Sequence, residues 1–539
     1  MGHWIPFAIG AAVIAAGTAR LGVVPTGDAP HMLSIADRLA GMIGRGDAVE
    51  FIQYWSSLVT PHPPAGFAVA VGWMWVGLER FAGPLTALTG LALAWHGVLL
   101  LTRVRGASAR SPWMAALLLF SLPATWTYVA HMSWDVLAAG CVVACLGHLH
   151  ASDGLRDRRH AVAFGAFMGL GFVTKYTFPA FLVVPAMAAG LVVARRRTWR
   201  GLAASLLAFG AVSGPWLFTH GDAMWAYVVS SSGASKTISD SPAMTWGARA
   251  SLPNLLYYPT VLRDMLGWPG MAVLGVALWR AWHRPAVRWS LGSVLGAWVV
   301  LTFAGENQSR YFFPAVPLLA VAFERGLRAA DGVTVRRWAA ACALVVTVPA
   351  LAGGWLSHDA DEAVPPSRDQ SHASTPLLGF GSWPQASVAF QPMSNPVDAW
   401  RVEAAVSAMA SETGEGTHQV GLLLPRDARM PPGSTFAWRA GIRGLDWSVA
   451  TVVAQGPGGK PMVFVGPLKP TGDAVSRRFS VAYAVHPRGD LPDLLLSLGA
   501  QSQWQQELPH GMQGTVFRVP VSGWTSSTGR MLQKDPLDG

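Results

Sequence analysis

From Ile5 to Gly354 the chain is a succession of long apolar runs separated by short connections in which arginines cluster. Nothing else in the sequence limits the possible folds so strongly. A run of about 20 apolar residues matches the hydrocarbon thickness of a bilayer, and such a series is read as membrane helices. After Ile5 to Val24 the runs fall at about 84 to 101, 112 to 129, 134 to 150, 161 to 174, 177 to 194, 201 to 218, 267 to 282, 289 to 304, 311 to 324 and 338 to 354. Only 13% of the residues are charged, about half the share in a soluble domain. The net charge of +10 does not point to nucleic acid, because the basic residues lie in groups between the runs. Such groups orient membrane helices with their basic ends toward the cytoplasm.

The groups are Arg103 with Arg105 and Arg110, Arg156 with Arg158 and Arg159, Arg195 to Arg197 with Arg200, Arg284 with Arg288, and Arg325 with Arg328, Arg336 and Arg337. They mark alternate connections as cytoplasmic and leave 25 to 64 and 219 to 266 outside. The short run from Ala65 to Leu78 breaks the alternation, which reads as a re-entrant or interfacial segment. Cys141, Cys145 and Cys342 all lie in apolar runs, so no disulfide framework is implied. Cys141, Cys145 and His148 share one helix face, and that reads as packing rather than a metal site.

The loop from 25 to 64 concentrates the polar chemistry. Gly27-Asp28-Ala29-Pro30 is a helix start, and Asp28 is the main candidate for catalysis. Met32, Ile35, Ala36, Leu39, Met42 and Ile43 then recur at helical spacing, with Asp37, Arg38 and Arg45 opposite, as in a helix lying on a membrane surface. Phe51, Ile52, Tyr54, Trp55, Leu58 and Val59 form a second such stripe. Pro61-His62-Pro63-Pro64 closes the loop. His31 and His62 are further candidates beside Asp28.

An acid just beyond the first span, surface helices, and His62-Pro63-Pro64 opening the next apolar run resemble the GT-C fold glycosyltransferases of the protein O-mannosyltransferase and aminoarabinose transferase superfamily. Trp134-Asp135 resembles that family's second acidic position. Gly169-Leu170-Gly171-Phe172-Val173-Thr174-Lys175 resembles its small-residue segment ending in lysine, and Arg310-Tyr311-Phe312-Phe313-Pro314-Ala315-Val316-Pro317 its late Arg-Tyr motif. The resemblance covers residues 1 to 355. It departs from the family where many members carry two adjacent acids, since Asp28 is followed by Ala29.

The resemblance implies a polytopic α-helical membrane protein of about 11 to 13 spans. Its activity would be inverting transfer of a sugar from a polyprenyl-phosphate donor to a lipid, glycan or protein acceptor outside a bacterial inner membrane. Asp28 would be the base or a metal-site carboxylate, with His31 and His62 as further ligands of a divalent cation (Mg, Mn or Zn). Lys175, Arg310 and Tyr311 would hold the donor phosphate, and Asp135, Glu306 and Asn307 would add polar contacts. A transporter or flippase of lipid-linked sugars, or an inactive scaffold relative, is the alternative. Transporters gather ionisable residues near the midplane, whereas the acids here lie at the ends of runs.

Residues 356 to 397 read as a linker. Residues 398 to 521 read as an external α/β domain, with a helix over 398 to 410, strands over 419 to 424, 461 to 465 and 515 to 519, and a helix over 491 to 498. The segment 522 to 539 reads as a mobile tail.

Overall fold

The computed structural model describes residues 2–20, 29–57, 63–103, 112–130, 134–229, 250–304, 309–328, 402–413, 418–425, 447–454, 462–465, 481–487, 499–508 and 512–519. The chain divides into two compact units. One holds 1–20 and 39–392, and the other holds 21–38 and 393–539.

The first unit is helical. α1 (Ile5–Arg20), α2 (Ala29–Gly44, whose first ten residues belong to the other unit), α3 (Ala48–Ser57) and α4 (Ala65–Trp75) lead to the long α5 (Ala82–Thr102). α6 (Trp113–Ser121) and α7 (Pro123–Ala130) follow, then α8 (Trp134–Ala151), α9 (Arg158–Phe172), α10 (Val183–Arg196) and α11 (Trp199–Val229). α12 (Leu252–Leu255), α13 (Tyr257–Ala281), α14 (Pro285–Phe303) and α15 (Ala315–Arg328) complete it.

Among the described residues, four helices are long and apolar enough to cross a membrane: α5, α8, α11 and α14. A fifth is added if α13, bent by 100°, counts as one span. Gly267, with φ 66° and ψ 168°, lies at that bend, a conformation that costs glycine little and other residues much. Several expected spans are shorter or broken. The run at 112 to 129 is interrupted at Leu122-Pro123, where proline cannot continue the preceding helix, and α9, α10 and α15 have 15, 14 and 14 residues. The run at 338 to 354 lies outside the described residues. α4 has 11 residues and rises only about 16 Å, too short to cross.

The described residues of the connection expected over 219 to 266 are largely helical. α11 runs on to Val229 across the internal Pro215, because Asp222 to Tyr227 offers nothing that breaks a helix, and α12 and α13 begin at Leu252 and Tyr257. Both expected surface helices form, as α2 and α3. Met32, Ile35, Ala36, Leu39 and Met42 are buried as their spacing requires, while Ile43 is exposed. Asp47 starts α3 by accepting the Glu50 amide at 2.9 Å.

α5 and α8 form the centre of the bundle. Their approach is set by glycines seven residues apart on both helices: a Cβ at Gly90 or Gly97 would strike the backbone of α8, and one at Gly140 would strike Gly90. Small residues let membrane helices touch backbone to backbone. Almost every residue of α8 is buried. Cys141 and Cys145 are fully buried there, Cys145 facing the Phe164 carbonyl at 3.7 Å. Cys342 lies outside the described residues.

The second unit holds a six-stranded mixed sheet in the order β3-β2-β1-β4-β6-β5, built from β1 (His418–Pro425), β2 (Trp447–Ala454), β3 (Met462–Val465), β4 (Val481–Pro487), β5 (Gln501–Glu507) and β6 (Met512–Arg518). β1 pairs in parallel with β2 and β4, and the other pairings are antiparallel. α16 (Val402–Thr413) packs on β4 and β6 and buries Ala405, Val406 and Met409. The helix expected over 491 to 498 lies outside the described residues.

Candidate functional site

The first turn of α8 carries Asp135 into the bundle with 2% of its side chain exposed. A carboxylate in a helix's first turn sits favourably against the dipole, but burial of the charge requires a cation beside it. Lys175 supplies one, its Nζ 2.5 Å from Asp135 Oδ1, and Arg310 a second, its Nε 3.9 Å from Oδ2. Tyr311 lies under both cations, with Lys175 Nζ 4.9 Å and the Arg310 guanidinium carbon 5.7 Å from its ring centre. Cations attract the negative face of an aromatic ring, so the ring helps fix both.

Each group reaches this point from a different part of the chain. Lys175 stands on the turn after α9. Its amide and that of Thr174 both bond to the Gly171 carbonyl, and its own carbonyl accepts from Phe178. Gly171 carries no side chain because the Phe178 ring occupies that space. Thr174 Oγ1 donates back to Leu170 at 2.6 Å, so the lysine stem leaves from a turn held on both sides. Arg310 and Tyr311 sit in a single 3-10 turn, Ser309–Phe312. Phe312 is packed against Tyr258 of α13 and Phe181, and Phe313 against Tyr128 of α7.

The end of the first loop arrives at the same place. Pro63 and Pro64 are buried, and the Ala65 amide donates to the Val173 carbonyl at 2.8 Å, two residues before Lys175. Phe67 meets the face of Trp134 edge-on at 4.5 Å. Val173 and Ala65 share an apolar cluster with Trp216 of α11 and Trp55 of α3. Four sequence motifs spread over some 250 residues therefore converge on one end of the bundle: the Pro63-Pro64 entry, Trp134-Asp135, the segment ending in Lys175, and Arg310-Tyr311.

Asp28, His62, Glu306 and Asn307 lie outside the described residues, as does the side chain of His31. Among the described residues no group of three or more His, Cys, Asp or Glu side chains is placed to hold a metal ion. Two arrangements went unanticipated in the sequence. Asp264 of α13 is 2% exposed and paired with Arg263 at 2.5 Å, and the only sequence signal for it is an Arg-Asp pair inside an apolar aromatic stretch. A row of imidazoles joins His96, His148 and His160, with Nε2 to Nε2 at 3.1 Å and Nδ1 to Nδ1 at 2.9 Å. His148 is thus held by hydrogen bonds on its helix face rather than by the neighbouring cysteines.

Fold and charged cluster together define a GT-C-like polytopic membrane architecture with an acid, two cations and a tyrosine gathered at one end. Two solved structures share that architecture: ArnT from Cupriavidus metallidurans bound to undecaprenyl phosphate, and the same protein in the apo state. Their TM-scores are 0.61 and 0.60, with 17% identity over 95% of this chain and 97% of theirs. No protein-family model matches the sequence, and no curated protein matches it by sequence comparison. The resemblance that the motifs suggested is therefore carried at the level of fold.

Proposed function

We propose that the protein transfers a sugar from a polyprenyl-phosphate-linked donor to a lipid, glycan or protein acceptor at the external face of a bacterial inner membrane. The observation that carries this reading is the meeting of Lys175, Arg310 and Tyr311 on Asp135, in a fold whose solved example holds undecaprenyl phosphate. In an inverting displacement the acceptor oxygen attacks the anomeric carbon as the bond to the phosphate oxygen breaks. The electron pair leaves with the lipid phosphate, and the acceptor proton passes to a base.

Two cations fixed before the reaction stabilise the charge that develops on the phosphate, because little reorganisation is then needed as the bond breaks. Arg310 offers several donors in a rigid fork suited to phosphate, and Lys175 a compact charge. Asp135 is a positioning residue that holds both. Asp28 is the base in this reading, or a carboxylate that holds a divalent cation with His31 and His62.

The test is transfer by the purified protein from a panel of polyprenyl-phosphate sugars, with and without divalent cation, beside an Asp28→Asn variant of equal thermal stability. The parent transfers sugar, and Asp28→Asn is slower by about 10²- to 10⁴-fold, the usual range for loss of a general base. No transfer across the panel with sugar-lipid binding retained overturns the enzyme reading in favour of a transporter or scaffold. Undiminished transfer by Asp28→Asn removes the base assignment alone.

A further inference from the structure

At the opposite end of the same helices lies a cavity of about 780 Å³ that the proposed reaction does not use. It is lined by Arg103 at the end of α5, Arg196 at the end of α10, Arg284 just before α14 and Arg325 near the end of α15, and by His160 of α9. Among the described lining residues the only acid is Asp153, which already pairs with Arg196 at 3.1 Å. Neither Arg103 nor Arg284 has an acid partner among the described residues. The basic clusters of four separate connections are thus brought around one space.

The walls are held in place. Asp153, Gly154 and Leu155 all have positive φ, at 50°, 69° and 64°, and this turn is fixed to the end of α10 by Thr198 Oγ1 donating to the Gly154 carbonyl at 2.8 Å. Arg325 closes the end of α5 by donating to the Leu101 and Arg103 carbonyls at 2.7 and 3.2 Å. His160 Nδ1 is engaged by His148, which leaves Nε2 as the nitrogen available to a ligand. If Nε2 donates its proton, His148 and His96 each take one definite tautomer along the row. Apart from His150 the remaining lining is apolar, with Leu149, Val192 and Trp289 among it.

We propose that this cavity binds the phosphate group of an anionic membrane lipid. Guanidiniums with spare donors select phosphate, and basic pockets between membrane helices bind anionic headgroups. The volume is of the size that takes a whole small-molecule ligand, far more than a phosphate ion fills, and the apolar wall suits the glycerol and acyl carbons that a free ion lacks. The proposal does not depend on the sugar-transfer reading.

The test is a native mass spectrometry titration of the purified full chain with dioleoylphosphatidylglycerol, with dioleoylphosphatidylcholine and with sodium phosphate as competitor. Phosphatidylglycerol binds the parent in preference to phosphatidylcholine. The Arg103→Gln/Arg284→Gln variant binds it roughly thirtyfold more weakly, the loss expected for two arginines at a membrane surface. Arg195→Gln/Arg200→Gln, which removes two arginines that do not line the cavity, leaves binding unchanged. Val192→Trp, which fills the cavity without altering charge, weakens binding and so keeps the test decisive should the double glutamine variant fail to fold. Displacement of the lipid by millimolar phosphate assigns the site to free phosphate as well, and no displacement assigns it to the lipid alone. Unchanged binding in both cavity variants, or an equal loss in the Arg195/Arg200 pair, overturns the proposal.

Discussion

At one end of the bundle Lys175 and Arg310 are drawn onto Asp135, a carboxylate 2% exposed. At the other, Arg103 and Arg284 line a cavity, and neither has an acid partner among the described residues. The side chains are of the same kind, and burial accounts for the difference. A charge inside the bundle must be matched by another at close range or it destabilises the fold, so the Asp135 end has one permitted arrangement. Arg103 and Arg284 at the arginine end are exposed, keep their water and remain available to a ligand. Preorganised chemistry belongs to the first setting and reversible binding to the second.

The largest expected effect comes from breaking the buried arrangement. Asp135→Asn leaves Lys175, 16% exposed, beside a neutral amide, and loss of one partner of a buried pair costs about 3–5 kcal/mol. Thermal unfolding of the purified protein should show a large fall in melting temperature. Transfer should fall as well, because the amide keeps only one of the two oxygens that hold Lys175 and Arg310 and turns an NH2 group toward the other cation. A variant as stable as the parent would make the Asp135 end no different in kind from the exposed end, and the contrast would collapse.

A smaller effect tests whether the same rule governs neutral groups outside the bundle. In the C-terminal sheet Tyr483 is fully buried and its hydroxyl accepts from Gln506 Nε2 at 2.9 Å. Tyr483→Phe leaves that amide without its acceptor and should cost about 1–3 kcal/mol. Burial also pushes the Tyr483 pKa up, so the folded phenol holds its proton where the unfolded chain has lost it. The resulting stability is fully present below about pH 10, the ordinary tyrosine value, and is lost as pH rises from there through the raised folded value. Between pH 9 and 11 the parent should therefore lose more stability than Tyr483→Phe, and equal losses would remove the burial argument for this residue.

The same distinction explains what could be read from the amino acids. The apolar runs that form α5 and α8, the arginine clusters and the motifs at Asp135, Lys175 and Arg310-Tyr311 are local patterns, legible without the fold. The ranking within the site was not legible. Asp135 was expected only to add polar contacts, and what makes it the centre of the described cluster is its contact with residues 40 and 175 positions away. The imidazole row joins residues separated by 52 and 12 positions and has no local signature at all. In the C-terminal unit β1, β3 and β6 were visible as apolar runs, whereas β5, QSQWQQE, is an edge strand whose residues are mostly exposed. Its polarity hid it.

The smallest effect gives the closest comparison, because Asp153–Arg196 and Asp135–Lys175 are both carboxylate–cation pairs that join a helix to a neighbouring turn. The Asp153 and Arg196 side chains are 43% and 44% exposed, with Nη1 to Oδ1 at 3.1 Å. Exposed pairs contribute about 0.2–1 kcal/mol, since water already solvates both partners and ordering two side chains costs entropy. Arg196→Gln should therefore barely move the melting temperature, and the small difference should vanish in high salt, where surface charges are screened. One feature could raise the value: Arg196 also donates to the Asp153 carbonyl at 3.4 Å, in a turn that holds two non-glycine residues at positive φ. The Asp153→Asn variant separates the two contributions, because it removes the ion pair to Arg196, with a looser one to Arg156 at 4.0 Å, and keeps the bond to the carbonyl. Equal small losses in both variants leave exposure as the explanation, whereas a large, salt-insensitive loss confined to Arg196→Gln would mean that the arginine holds a strained turn, and that the exposed end is also built around fixed contacts.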